Sequence, residues 1–409
     1  MKKALVLCGG HPQIALMTYL KEQNVFVILL DMNEKVAGRA YADKFYPVSV
    51  LDVDGVRKVA IEEKVDFILT VCADQVLEVV AQVSEELGLP WYIDYKTATN
   101  VSKKSYMKKI FVENDIPTSK FVITNQYDES KLIGLEFPLI VKPVDAYSSR
   151  GVKRVDSLEE LQVALANAIE ISRSKNAIVE EFVDGDELTV DVYIEEGKAN
   201  VLCVSRLDKI GEEGKFVIHR STYPAGLSDF EKQEIQKAAQ NIATAFGLKN
   251  SPMLIQLITT GSRISVVEFC SRTGGGIKFR LIKNVSGFDV VQAVADLAMG
   301  IIPHYNNVGL KDRYITNEFL YCKPGTFEKM QGLEELVKEG VITEYFLLKQ
   351  KGHVFSEIRS SGDRVACYTI ETDTLEEMQE KRKIANERIK ALSDTNEDLL
   401  RHDLIIKKL

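Results

Sequence analysis

The chain predicts a mixed α/β and α+β architecture: an open parallel α/β domain first, then units built on antiparallel sheets. Three observations carry this. Compact apolar runs at residues 3–8, 25–30 and 66–71 alternate with amphipathic stretches at 13–23 and 75–87, which makes right-handed βαβ units with parallel strands. Further on, Glu195-Glu196-Gly197-Lys198 and Thr259-Thr260-Gly261-Ser262 place glycine turns between apolar runs, as antiparallel hairpins require. Near the C-terminus, apolar segments at 315–321, 344–349 and 365–370 precede a charged helical stretch at 374–392, which reads as a small α+β unit.

The apolar run before Cys8 is too short for a secretory leader, and Leu7 is not the small residue that cleavage needs, so it reads as a buried first strand. Gly9-Gly10-His11-Pro12 is the first strand–helix turn, and Asp31 closes the second strand. A glycine turn followed by such an acid invites a dinucleotide reading. The third glycine is missing, however, and Pro12 stands where the loop should continue, which favours a structural or substrate-facing turn. The first domain should end near Trp91–Asp94.

Residues 97–115 predict one helix capped by Thr99 or Ser102, with Met107, Ile110 and Phe111 on one face and Ile116-Pro117 ending it. Its cluster of Lys103, Lys104, Lys108 and Lys109 reads mainly as a solvated face. Short strands then alternate with a helix near 157–171, and helices follow at 228–247 and 287–300. The 374–392 helix carries Leu375, Met378, Ala385, Ile389 and Leu392 on one side. That seam is short and interrupted by Arg382, so it should pack on its own small sheet rather than form a dimerising coil. The expected units are 1–96, 97–184, 185–305 and 306–409.

With 409 residues the chain is too long for one ordinary core, and its 45% hydrophobic and 27% charged content is that of a folded globular protein. The formal net charge of -8 offers no general field for nucleic acid. Six scattered cysteines without a CxxC pair exclude a zinc ribbon or disulfide framework and fit a reducing compartment. No apolar segment is long enough to span a bilayer. A cytoplasmic location is expected, and a homodimer is allowed but not required.

Two segments carry the chemistry. In Phe137-Pro-Leu-Ile-Val-Lys142-Pro-Val-Asp-Ala-Tyr-Ser-Ser-Arg-Gly151, an apolar strand delivers Lys142, and a small polar loop follows. Lysine pairs with phosphate oxygens, and free backbone N–H groups can fold over them. There is no GxxxxGK[ST], so this is no P-loop. In Val267-Glu268-Phe-Cys270-Ser-Arg272-Thr-Gly-Gly-Gly276, a strand delivers one carboxylate, then an arginine and three glycines. Glu268 suits magnesium, Gln256 offers a neutral carbonyl, and Cys270 is a poor ligand for a hard cation. A hairpin turn at 260–262 would bring Gln256 near Glu268, although the sequence leaves the register open. Arg272 can clamp a phosphoryl group, and Gly274 to Gly276 let a substrate approach the backbone. Between these segments lies Ile178-Val-Glu180-Glu181-Phe182-Val183-Asp-Gly185-Asp-Glu187, whose carboxylates and peptide groups suit either an adenine edge and ribose hydroxyls or an acidic hairpin turn.

In this order and spacing, residues 1–300 resemble the ATP-grasp superfamily of carboxylate–amine ligases. The Arg-Thr-Gly-Gly-Gly ending looks closest to the L-amino-acid ligase branch, and Gln256 is shared with the carbamoyl-phosphate synthase branch. The resemblance implies a two-lobed ATP-binding region between the first domain and a small C-terminal α+β domain. It also implies that Lys104 and Lys142 bind phosphates and that the loop with Ser148, Ser149 and Gly151 closes over the γ-phosphate. Glu180 and the Glu181–Phe182–Val183 backbone would hold adenine, and Glu187 the ribose. Gln256 and Glu268, with Cys270 as the weakest donor, would hold magnesium or manganese. Glu268 and Arg272 would be the catalytic pair, with Arg272 stabilising an acyl phosphate.

Members commonly carry Asn where Cys270 stands, which puts a second metal in doubt here. The implied activity is ATP-dependent amide or peptide bond formation through an acyl phosphate, on small-molecule carboxylate and amine substrates such as an amino acid, giving ADP and phosphate. The alternatives are a nucleotide- or carbamate-processing relative and a catalytically silent ATP-binding protein. His11, Asp74, Arg206, Lys209, Arg220 and Arg280 are candidates for substrate selection, each equally readable as a surface group, His219 still more so. The loop Asp208–Lys215 is a candidate lid.

Overall fold

The computed structural model describes residues 1–146, 150–210, 216–306 and 309–405. Ser148, Ser149 and most of the candidate lid lie outside the described residues.

The first domain is built as its alternation predicts. Strand β1 (Lys3–Leu7), helix α1 (His11–Glu22), β2 (Phe26–Leu30), β3 (Lys44–Tyr46), α2 (Val53–Glu63), β4 (Phe67–Leu69) and α3 (Asp74–Leu87) give a parallel sheet of order β3-β2-β1-β4. Val27, Ile28, Leu29 and Leu30 are fully buried, because a parallel sheet is covered on both faces. Pro12 lies in the first turn of α1 rather than in a loop, where its missing N–H costs no hydrogen bond. The Asp31 carboxylate accepts from Gly9 N (2.9 Å) and Asn33 N (2.9 Å), so it ties the turn to its own strand end.

The expected 97–115 helix is two: α4 (Tyr95–Ser102), capped by Asp94 rather than Thr99 or Ser102, and α5 (Lys104–Glu113). Lys103 is extended between them and breaks the spiral. The small lobe adds β5 (Phe121–Thr124), α6 (Glu129–Leu132), β6 (Leu139–Pro143), β7 (Lys153–Val155), α7 (Leu158–Ile171) and β8 (Ala177–Glu181). Its antiparallel sheet has order β5-β8-β6-β7, with α7 packed against β6.

The large sheet begins with β9 (Asp186–Glu195), β10 (Lys198–Lys209), β11 (Ile218–Tyr223), α8 (Asp229–Ala245), β12 (Ser251–Thr259) and β13 (Ile264–Cys270). Both expected hairpins are present, β9/β10 and β12/β13. Helices α9 (Lys278–Ser286) and α10 (Val290–Ala298) follow, of which only the second falls in the expected 287–300 helix. The α9–α10 pair packs on the first domain, with Leu16, Met17, Phe279, Val291 and Val294 in one core.

The C-terminal stretch supplies β14 (Tyr314–Leu320), β15 (Gly325–Gln331), α11 (Leu333–Lys338), β16 (Glu344–Leu347), β17 (Val354–Phe355), β18 (Ala366–Thr372), α12 (Leu375–Arg388) and β19 (Lys390–Ser393). Three of these strands join the large sheet, whose order is β13-β12-β9-β10-β11-β14-β18-β16. Helix α12 packs on β18 and β14 of that sheet, and its Met378 and Ala385 share a core with Phe327 and Ala391 of a small C-terminal sheet of order β17-β15-β19. Arg382 ties the helix to β14. The residue that interrupts the apolar seam is buried and donates to Glu318 Oε1 of β14 at 2.6 Å.

Candidate nucleotide site

Strand β6 is buried along its whole length, and it carries Lys142 into the interior between the two lobes. Ile140 pairs with Glu180 of β8 and Lys142 with Ile178, so Lys142 and Glu180 lie diagonally on one face. Their side chains meet: Lys142 Nζ is 2.5 Å from Glu180 Oε1. On α5, Lys104 and Lys108 stand four residues apart and so share a face. Lys104 Nζ is 3.2 Å from Glu268 Oε2 and donates to Ala146 O at 2.9 Å. Lys108 Nζ is 2.8 Å from Glu180 Oε2.

The hairpin register left open by the sequence is fixed: Gln256 faces Glu268 across the ladder, and a bulge follows immediately after Gln256. Both line a cavity of about 320 Å³ together with Lys104, Lys142, Glu180, Glu187 and Lys209. Phe182, Val183, Ile140 and Ile258 give the same cavity an apolar wall. Lysines, an apolar wall and a pair of oxygen donors suit a nucleotide with a charged tail. Gly185 must be glycine, because a Cβ there would sit 2.3 Å from Thr259 O.

Glu180 is 6% exposed. Burial would raise its carboxyl pKa, but Lys142 and Lys108 outweigh that and bring it down to about 2. Burial also pulls the Lys108 ammonium below its usual value, against the attraction of Glu180.

Several expected site residues stand differently. Both oxygens of Glu180 are paired with protein cations, Oε1 with Lys142 and Oε2 with Lys108, and Ser119 Oγ donates to Oε2 at 3.0 Å. The N–H groups of Glu181 and Phe182 donate to Lys120 O (3.0 Å) and Pro138 O (2.9 Å), which leaves Val183 as the hinge position whose N–H has neither role. Glu187 pairs with Lys209, which also lies over the Phe216 ring at 4.9 Å. Gly151 has φ +76, an added Cβ there would sit 2.9 Å from Pro143 and Ile171, and it is not among the residues lining the cavity.

Arg272 is outside the cavity. It is bound to Asp74 of α3 through Nε (2.5 Å) and Nη2 (2.6 Å), because the first domain presents that acid where the arginine emerges from β13. Cys270 also bonds to Asp74, and burial followed by that carboxylate push its thiol pKa well above the ordinary value. Among the described residues no group of three or more His, Cys, Asp and Glu could hold a metal. One carboxylate and one amide oxygen, completed by phosphates and water, still fit magnesium.

Of the substrate-selecting candidates, Lys209 is in the cavity and Asp74 is on Arg272. Arg220 and His219 are buried at 0% and 1% exposure, not surface groups. Arg206 pairs with Asp186 (2.8 Å), Arg280 approaches Glu344 (3.7 Å), and His11 touches Leu347 O (3.2 Å). Lys108 and Ser119 were missed as site residues. The signal for Lys108 is its four-residue spacing from Lys104, next to the buried Met107.

The ATP-grasp domain family matches residues 135–280. These residues form an ATP-grasp domain. The rest of the comparison agrees. A formate-dependent phosphoribosylglycinamide formyltransferase of Hydrogenovibrio crunogenus is 25% identical over 59% of this chain and 62% of its own length. The vancomycin/teicoplanin A-type resistance protein VanA of Enterococcus faecium is 28% identical over 44% of this chain and 55% of its own. The chain thus spans less than two thirds of either relative. The L-amino acid ligase of Bacillus licheniformis superposes with a TM-score of 0.80 at 21% identity, over 96% of this chain and 99% of that one. The ATP-grasp fold therefore extends beyond the matched domain. No described helix is long and apolar enough to cross a membrane.

Proposed function

We propose that this chain is an ATP-dependent, ADP-forming carboxylate–amine ligase that acts through an acyl phosphate on an amino acid or similar small acid. The observation that carries the reading is the convergence of Lys104, Lys142, Gln256 and Glu268, from four separate elements, on one cavity. A carboxylate is a poor electrophile. Its oxygen attacks the γ-phosphorus of ATP and ADP leaves; the amine then attacks the acyl carbon, phosphate leaves, and the amine loses a proton.

The work asked of the protein is positioning and charge neutralisation. Lys142 and Lys104 are the phosphate partners, and Phe182 and Val183 form the slot for the base. Gln256 and Glu268 would hold magnesium, which when bound neutralises phosphate charge. Glu187, paired with Lys209, lines the same cavity and would offer ribose hydroxyls a carboxylate.

The test is release of ADP across a panel of acids and amines, with hydroxylamine added to trap an acyl phosphate as a hydroxamate. Acid-dependent hydroxamate supports the reading. ATP binding without turnover on any pair would favour the silent alternative, for which the closed Arg272–Asp74 pair speaks.

A further inference from the structure

Glu180 faces charged groups from two elements, Lys142 on β6 and Lys108 on α5, and the Ser119 hydroxyl from the segment before β5. Lys108 also feels Glu268 of β13 and the repulsion of Lys142. It is 1% exposed and does not line the cavity, being set behind Glu180. Thr118 Oγ1 receives its ammonium at 2.6 Å, and Thr118 in turn donates to Val266 O at 2.8 Å, which anchors the lysine to β13.

A lysine buried out of reach of any ligand needs a reason, since burying an ammonium is costly unless it is paired. The geometry supplies one. Lys142 is held by Glu180 at 2.5 Å and also lines the cavity, so a phosphate there competes with Glu180 for its ammonium. Were Lys142 the only cation on Glu180, its departure would strand a buried carboxylate beside an arriving polyanion.

We propose that Lys108 is a positioning residue that keeps Glu180 neutralised when Lys142 swings to the nucleotide, so that Lys142 is free to leave. This rests on the nucleotide reading of the cavity. Lys108 acts through Glu180 and touches no substrate. Without it, nucleotide binding must either keep Lys142 on Glu180 or protonate Glu180, so binding becomes coupled to proton uptake.

The test is calorimetric titration with a non-hydrolysable ATP analogue and magnesium, with a thermal melt of each variant. Lys108→Met should raise Kd by at least about tenfold near pH 8, the equivalent of one pKa unit, with the penalty shrinking toward about pH 6. Lys108→Arg should bind like the wild type. In a Glu180→Gln background, which has no carboxylate to strand, Lys108→Met should change Kd by less than about twofold. If Lys108→Met does not fold, Lys108→Gln, which can still donate to Glu180, is read in the same way.

Wild-type affinity in Lys108→Met overturns the proposal, as does an equal, pH-independent loss in both backgrounds. A wild-type protein that binds no nucleotide would overturn the site reading and this inference together. A wild type that binds, with additive variants, overturns this inference alone.

Discussion

The Arg272 guanidinium meets Asp74 across 198 positions of sequence and binds both of its oxygens, at 2.5 and 2.6 Å. The pair joins the end of β13 to the start of α3, and so the large sheet to the first domain. Arg272 also donates to Thr273 O at 2.6 Å, which fixes the chain as it enters the glycine run.

Removing either member should therefore cost stability first. Asp74→Ala and Arg272→Ala are each expected to lower the unfolding free energy by about 3 kcal/mol, the low end for breaking a buried pair, because Asp74 is partly exposed. Urea denaturation checks it, and the double variant should lose little more than either single one. Additive losses would mean that the two side chains do not work as a pair.

Glu268 lies beside Gln256 on the cavity wall, and among the described residues its ion-pair partner is Lys104, at 3.2 Å. Glu268→Ala is expected to abolish ADP formation while leaving the thermal midpoint unchanged. Unaltered turnover would reject the metal role of this carboxylate.

Lys142→Ala leaves Glu180 still paired with Lys108 at 2.8 Å, so the lobe should stay folded. Loss of one charge-assisted phosphate contact, roughly 1.5–3 kcal/mol, should raise the ATP requirement about ten- to a hundredfold. Steady-state kinetics at varied ATP decides it; a wild-type KM would make Lys142 a purely structural lysine.

The acid limb of the stability curve should report Glu180. Its carboxyl stands at about 2 in the fold against an ordinary 4.5, so its contribution is complete above pH 4.5 and is lost as pH falls toward 2. Denaturation from pH 6 downward should show wild type losing stability faster than Glu180→Gln once pH drops below about 4.5, the upper end of that interval. Parallel curves would mean that the two lysines do not hold the carboxylate ionised.

Much of this arrangement was legible before folding. Lys142 was visible because a run of apolar residues must deliver it to the interior, and Glu268 because a hairpin turn placed it near Gln256. The alternation of short apolar runs with helical stretches gave the first domain, since neighbouring parallel strands need a crossover helix between them. Lys108 was legible only through its four-residue spacing from Lys104. On a helix surface it looks like its exposed neighbours Lys103 and Lys109, and only its partner Glu180, 72 positions away, makes burial tolerable. The C-terminal strands likewise gave no sign of joining the large sheet, because pairing between distant strands leaves no local periodicity.

The sequence by itself determined most segments that become strands and helices, and which few side chains are of a type suited to phosphate and metal chemistry, because periodicity and residue type are local properties. Only the tertiary structure decided the charge partners: Glu180 between two lysines, and Arg272 on Asp74 rather than in the cavity. Ion pairing depends on distance and desolvation, and neither exists until remote parts of the chain are brought together.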